Sequence, residues 1–490
     1  MNLSKSKYCR GLLCKKMLWL DIFHPEYADD ELVNQAVFDN GNVVGDVAMG
    51  YFGDFFEIPF SDNLNDMISL TNKKMKEGCN VITEASFVYD DNFCSVDILK
   101  RNGDFYDIYE VKSSTEVKDI YREDVSYQYY VLTNLKLNIR NVYIMYVNSN
   151  YVRRGELNLK ELFLLEDVTE YAKNRYEYVK DRICELKNID DSVCDIDIDV
   201  YCDKPYTCIY KPYCQRCLSK PNVFDIASMS VSKKYNLYHK NLITFKDILS
   251  SDERITSKQM DQLEIELSND SIINKENIKS FLSTLSYPLY FLDFETFQQS
   301  IPMWDMVKPY MQIPFQYSLH FMNEKGGLLF HKEFLAKEGE NPMRALALKL
   351  IEDIPGDVCV LAYNMSFEKS VIKRLAYMFP DLSDDLMKIY NNIKDLMIPF
   401  YNHDFYVKEM KGSYSIKYVL PALCGNDLNY KKLDEVHNGS EAMNAYLNLD
   451  KKSNEEIIKT RNNLLKYCEL DTLAMVKILD KLYEVIDDEG

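Results

Sequence analysis

Apolar residues in the first half of the chain fall into short runs broken by polar turn signals. The stretches 82–89, 94–99 and 105–111 have the length and apolar content of strands, and Asp90-Asp91-Asn92 and Asn102-Gly103-Asp104 supply turn chemistry between them. A helical pattern over 119–135 follows, then a strand-like run over 142–147. The predicted order is β-β-β-α-β. Residues 167–187 read as a further helix with its charges on one side, and the polar stretch 222–285, helical in period around Ile265 and over 278–285, reads as a helical connector.

A second alternation fills the last part of the chain. Runs at 289–294, 315–322 and 328–335 predict strands, 342–354 a helix, 358–363 a strand and 368–378 a helix, and a long amphipathic helix over 454–485 closes the chain. Three strands, helix, strand, helix is the order of a ribonuclease-H-like core. The predicted class is therefore α/β, with domains at 1–221 and 286–490 joined by 222–285.

Composition narrows this picture. A chain of 490 residues exceeds what one core supports, and about three domains are expected. With 47% hydrophobic and 28% charged residues it reads as a soluble globular protein, and no apolar run approaches the length of a bilayer span. Residues 1–19 carry lysines but no clean apolar stretch with a cleavage site, so a cytoplasmic protein without a membrane partner is expected. The abundance of Lys, Asn, Ile and Tyr suggests an AT-rich bacterial genome. A formal net charge of −19 argues against a nonspecific coat on nucleic acid, but it leaves room for a nuclease, whose metal ligands are themselves acidic. Disulfides are disfavoured in the cytoplasm, so clusters among the 13 cysteines are weighed first as metal ligands.

Candidate chemistry begins at Phe291-Leu292-Asp293-Phe294-Glu295. On a strand, Asp293 and Glu295 project from one face, and two like charges so close call for a cation or a proton. A two-metal site needs more carboxylates than two. Glu368 follows a strand and opens a helix, and Tyr467 and Asp471, four apart on the closing helix, share a face. Asp395 is a reserve ligand, and Lys417, after Gly412-Ser413-Tyr414, is placed to meet a phosphate. These motifs resemble the tyrosine-bearing subclass of the DEDD exonucleases. The resemblance implies a 3'-to-5' exonuclease in which Asp293, Glu295, Glu368 and Asp471 hold two divalent ions, Mg2+ or Mn2+, and Tyr467 orients the attacking water. The second motif normally ends in aspartate; Glu368 is a departure.

The β-β-β-α-β unit carries its own charges. Asp97 lies in the second predicted strand, Glu110 and Lys112 share a face of the third, and Gln128 falls on the next helix, with Glu84 as a further acidic contributor. Two carboxylates and a lysine are the ingredients of metal-dependent phosphodiester hydrolysis. The set resembles the PD-(D/E)XK (restriction-endonuclease-like) nucleases of the RecB type, in which Asp97, Glu110, Lys112 and Gln128 match the catalytic core and Asp97 and Glu110 hold the metal. Cys202, Cys208, Cys214 and Cys217 fall within sixteen residues, with Cys9 and Cys14 near the other end of the unit. RecB-type domains of the CRISPR-associated and AddB kind bind an iron-sulfur cluster through one early and three late cysteines. That resemblance makes Cys14, Cys202, Cys208 and Cys214 the ligands, with Cys217 or Cys9 as replacements and Zn2+ as the rival ion.

Taken over nearly its whole length, the chain resembles a bacterial family that joins a RecB-like, cysteine-bearing domain to a DEDD-like domain. Ser4-Lys5-Ser6 and the stretches 310–318 and 411–420 carry that likeness. It implies a nuclease acting on DNA, with RNA as the less favoured substrate, in repair, recombination or defence. The alternative is a nucleic-acid-binding or scaffold protein with one or both centres inactive and a structural metal cluster.

Overall fold

The structure is a computed structural model that describes residues 2–32, 35–425 and 436–487. It divides into two units, Met1–Cys217 with Gln299–Tyr310, and Leu218–Gln298 with Met311–Gly490. The stretch 222–285, expected as a connector, is thus part of the second unit. Among the described residues no helix is long and apolar enough to cross a membrane.

Seven strands build the first unit: β1 (Leu3–Ser4), β2 (Phe56–Glu57), β3 (Val81–Tyr89), β4 (Asn92–Asn102), β5 (Phe105–Lys112), β6 (Ile139–Val147) and β7 (Phe163–Asp167). They pair in the order β2-β3-β4-β5-β6-β7, with β1 added alongside β4. The hairpins β3-β4 and β4-β5 are antiparallel, whereas β5 and β6 are parallel. A parallel pair needs a crossover. The helix Asp119–Asn134 supplies it, burying Val125, Tyr127, Val131 and Leu132 against Val96, Ile108 and Ile144. Two helices the sequence reading left unassigned, Lys5–Leu13 and Lys15–Phe23, precede this core. The segment 299–310 joins the unit through Arg153, whose N donates to Val307 O and whose O accepts from Met306 N, and through Gly155 N, which donates to Asp305 Oδ1 at 2.7 Å.

In the second unit the strands are β8 (Ser271–Ile273), β9 (Leu289–Phe297), β10 (Ile313–Met322), β11 (Phe330–Leu335), β12 (Cys359–Ala362), β13 (Ile393–Asp395) and β14 (Phe405–Val407). Five form one sheet in the order β11-β10-β9-β12-β13, antiparallel across β9-β10-β11 and parallel across β9-β12-β13. The terminal helix, Asn454–Asp487, packs on β9 and β10 through Leu464, Cys468 and Thr472. These positions recur every four residues and so form one stripe. β8 and β14 make a small separate ladder. Gln262 fastens the stretch 222–285 to the rest of its unit by donating to Lys411 O at 3.2 Å, and it binds the stretch to itself through Asp225 O at 3.0 Å.

Candidate functional site

In the second unit, β9 aims Asp293 and Glu295 from one face toward the terminal helix, which brings Tyr467, Cys468 and Asp471. Asp293, Glu295 and Cys468 each offer a ligand atom within 4.8 Å of the others. Glu368, in the first turn of the helix Ser366–Met378, is only 2% exposed, and its Oε2 is buried without a hydrogen-bond partner. An orphaned buried carboxylate oxygen is costly unless a proton or cation meets it.

The charges show the same need. Burial, then Asp471, Glu295 and Glu368, raise Asp293 well above the usual carboxylate range. Burial and Asp471 push Glu295 up to about 8, with Lys417 pulling the other way. Burial, with Asp395 adding to it, pushes Glu368 up to about 8. The Tyr467 phenol is raised by burial and by Asp471, Glu295 and Asp293, which holds it protonated at neutral pH. Carboxylates with these shifts suit hard divalent cations, whose charge would reverse them.

Asp395 has a different task from that of a reserve ligand. Its Oδ1 accepts from Asn364 N and Met397 N, both at 2.9 Å, and its Oδ2 from Met365 N at 3.2 Å. This brace holds the turn that enters the Glu368 helix, where Asn364 adopts a left-handed conformation at φ 65°. Gly412 also has a positive φ, and a Cβ there would lie 2.5 Å from the Gln262 side chain, so the loop leading to Lys417 requires glycine.

The first unit presents a different balance. Glu110, 1% exposed, accepts from Lys5 Nζ at 2.6 Å, Lys112 Nζ at 2.8 Å and Gln128 Nε2 at 2.5 Å. Lys112 also donates to Asp124 Oδ2 at 2.5 Å, and Asp97 Oδ2 accepts from Val111 N at 2.6 Å. Burial works to raise Glu110, but Lys112 and Lys5 outweigh it and pull the carboxyl down to about 2. Asp97 goes the other way, to about 7, through burial and the charge of Glu110. The β3-β4 ladder steps from Thr83–Ile98 to Ala85–Val96, leaving Glu84 and Asp97 between the two pairs. Glu84 sits there with φ 54°, accepting from Ser95 Oγ at 3.1 Å. Both residues lie in mid-strand, and the register is the same on either side of them, so the ladder is interrupted here without an inserted residue.

Residues 290–415 match the family model of a domain of unknown function, DUF2779. Neither a curated protein nor a solved structure matches the chain. The DUF2779 region takes in Asp293, Glu295, Glu368 and Asp395, and it stops short of Lys417, Tyr467 and Asp471.

Outside the DUF2779 region, Cys14, Cys202, Cys208 and Cys214 line one small cavity together with Tyr201 and Tyr210. Burial raises all four thiols, Cys202 to about 12 and Cys208 to about 11, and the neighbouring thiols add to it in Cys202, Cys208 and Cys214. Four thiols around one cavity, Cys202 and Cys208 buried and Cys14 and Cys214 half-buried, fit a cationic centre that would take them as thiolates. Cys217 is exposed, and Cys9 instead donates its thiol to Asp124 Oδ1 at 2.8 Å, beside Lys112. Cys194, half-buried, senses the charge of Cys14 and stands at the edge of this group.

Sequence reasoning passed over Lys5, Asp124 and Cys468. Lys5 lies 105 residues from the glutamate it pairs with, so no local spacing links them. Asp124 stands four residues before Gln128 on the crossover helix, and that shared face was a usable signal.

Proposed function

We propose that the protein is a metal-dependent nuclease with an exonuclease-like centre in the second unit and a PD-(D/E)XK-like centre in the first. The observation that carries this reading is the convergence of Asp293 and Glu295 from β9 with Glu368 and Asp471 from two helices into a buried site where each of the first three is pushed toward protonation. Strand order supports it: β11-β10-β9-β12-β13 with an antiparallel β10 is what a ribonuclease-H-like core requires.

Asp293, Glu295, Glu368 and Asp471 would hold Mg2+ or Mn2+. Bound divalent ions supply Lewis acidity and neutralise charge that develops on a phosphodiester. Tyr467, kept protonated, offers a hydroxyl to orient water at the scissile phosphate, and Lys417 offers a cation to a neighbouring phosphate oxygen. In the first unit Lys112 is the charge stabiliser, Asp97 and Glu110 are the metal-holding pair, and Gln128 fixes Glu110 from behind. DNA is the proposed substrate. For the cysteine cavity an iron-sulfur cluster is the proposed group. Four thiolates suit Zn2+ as well, and iron and zinc analysis of the purified protein separates the two.

One observation favours an inactive first centre: Glu110 already has Lys5 and Lys112 on Oε1 and Gln128 on Oε2, so a metal there would compete with partners the chain itself supplies. Digestion of end-labelled single-stranded and duplex DNA and RNA in Mn2+ tests both readings. Loss of exonucleolytic products in Asp293→Ala, and of the remaining cleavage in Lys112→Ala, is expected. Digestion unchanged in both variants and in the double variant would overturn the proposal.

A further inference from the structure

Beside the carboxylate site, two histidines and a glutamate converge that the nuclease reading does not use. His320 on β10 and His331 on β11 are direct cross-strand partners, with ring centroids 4.5 Å apart. Glu469 comes from the terminal helix, and one ligand atom from each of the three residues lies within 4.8 Å of the others.

Hydroxyl groups fix both rings. Thr472 Oγ1 is 2.8 Å from His320 Nδ1, Ser318 Oγ is 2.9 Å from His331 Nε2, and the two hydroxyls are 2.7 Å from each other. Each imidazole therefore has one nitrogen tied to a hydroxyl and one left over, Nε2 in His320 and Nδ1 in His331. Among the described residues no direct hydrogen bond or ion pair joins Glu469 to either ring. His320 is 4% exposed, and a buried imidazole is favoured uncharged. The three side chains thus bring one ligand atom each into a common space without bonding directly, an arrangement that a cation between them would complete. Glu333, two residues beyond His331 on the same strand face, adds a second acidic group at the rim.

The geometry points to a transition-metal site formed by His320, His331 and Glu469, of the zinc class and distinct from the Mg2+ or Mn2+ positions proposed at Asp293. Two imidazoles and one carboxylate are borderline ligands that suit Zn2+, Co2+ or Ni2+, and they leave a coordination position open. The hydroxyls of Thr472 and Ser318 act as the outer partners that set ring orientation. A metal here ties β10 and β11 to the helix that also carries Tyr467 and Asp471.

The inference does not depend on nuclease activity. Metal-stripped protein is titrated with Zn2+, counting equivalents bound and measuring affinity, in the parent, Asp293→Ala, His331→Ala and Glu469→Gln chains. The expected result is that Asp293→Ala keeps the site, while His331→Ala and Glu469→Gln each lose one equivalent or bind it at least tenfold more weakly. Thr472→Val should weaken it about tenfold to a hundredfold. Stoichiometry and affinity equal to the parent in both His331→Ala and Glu469→Gln would overturn it. Glu469→Gln preserves shape at a partly exposed position, so a folding defect in His331→Ala would not mask the answer.

Discussion

The two carboxylate sites solve the same electrostatic problem in opposite ways. In the first unit, burial of Glu110 is offset by the chain's own cations, Lys5 and Lys112, and the carboxyl falls to about 2. In the second, Glu295 and Glu368 rise to about 8. A site balanced by lysines can stand by itself, whereas one left with raised carboxylates is completed by protons or by added cations. The same residue types, Asp97 with Glu110 and Asp293 with Glu295, thus end in different states because of what other elements bring to them.

The largest effect that would break this comparison is catalytic. Removing a ligand in Asp293→Ala should cut exonucleolytic turnover in Mn2+ by about two to three orders of magnitude, the usual scale for loss of one preorganised charge stabiliser; a rate assay on end-labelled single strands reads it. Stability should then separate the sites by sign. Lys112→Met leaves Glu110 and Asp124 short of a buried partner and should cost about 3 kcal/mol. Asp293→Asn removes a like charge and should raise metal-free stability at neutral pH by about 1 kcal/mol or more. Urea unfolding in chelator measures both, and equal signs would refute the contrast.

Acidity sharpens it further. Glu295 and Glu368 have folded values raised from 4.5 to about 8, so the native state holds protons that the unfolded chain has released, and their contribution falls as pH rises through that window. Glu110 is lowered from 4.5 to about 2, and its contribution is complete above 4.5 and lost as pH falls toward 2. Asp97, raised from 3.8 to about 7, follows the pattern of the second site. Metal-free stability should therefore decline as pH rises from about 4.5 toward 8, and Mn2+ should flatten that decline. An effect of comparable size and opposite sign to that of Asp293→Asn is expected at Asp395→Asn: one of the two oxygens that accept from the amides of Asn364, Met365 and Met397 becomes a donor, and the change should cost about 1–2 kcal/mol without changing which metal binds.

Much of the secondary structure was legible in apolar periodicity. The runs read at 82–89 and 105–111 correspond to Val81–Tyr89 and Phe105–Lys112, and the closing helix read at 454–485 is Asn454–Asp487. These elements bury one continuous face, and that face is written locally. β13 escaped because Ile393–Asp395 is too short for a period to show. The stretch 222–285 read as a connector because Gln262, which secures it, is polar and signals nothing until its partners are known. The same limit applied to the sites: Asp293 with Glu295 and Glu110 with Lys112 are neighbours in sequence, whereas Lys5, Cys468 and the pair His320–His331 gain meaning only from residues on other strands and helices.

The terminal helix carries Tyr467, Cys468, Glu469, Asp471 and Thr472 on a single rod of 34 residues. In such a rod each residue advances the azimuth by about 100° and the rise by about 1.5 Å. One residue inserted upstream, near Thr460, would turn every downstream group out of phase, and the carboxylate site and the histidine site would be lost in one step. Eleven inserted residues come close to three whole turns and would restore the facing while displacing both sites along the axis. The two sites thus share a rotational setting, and neither can drift in this helix without carrying the other along.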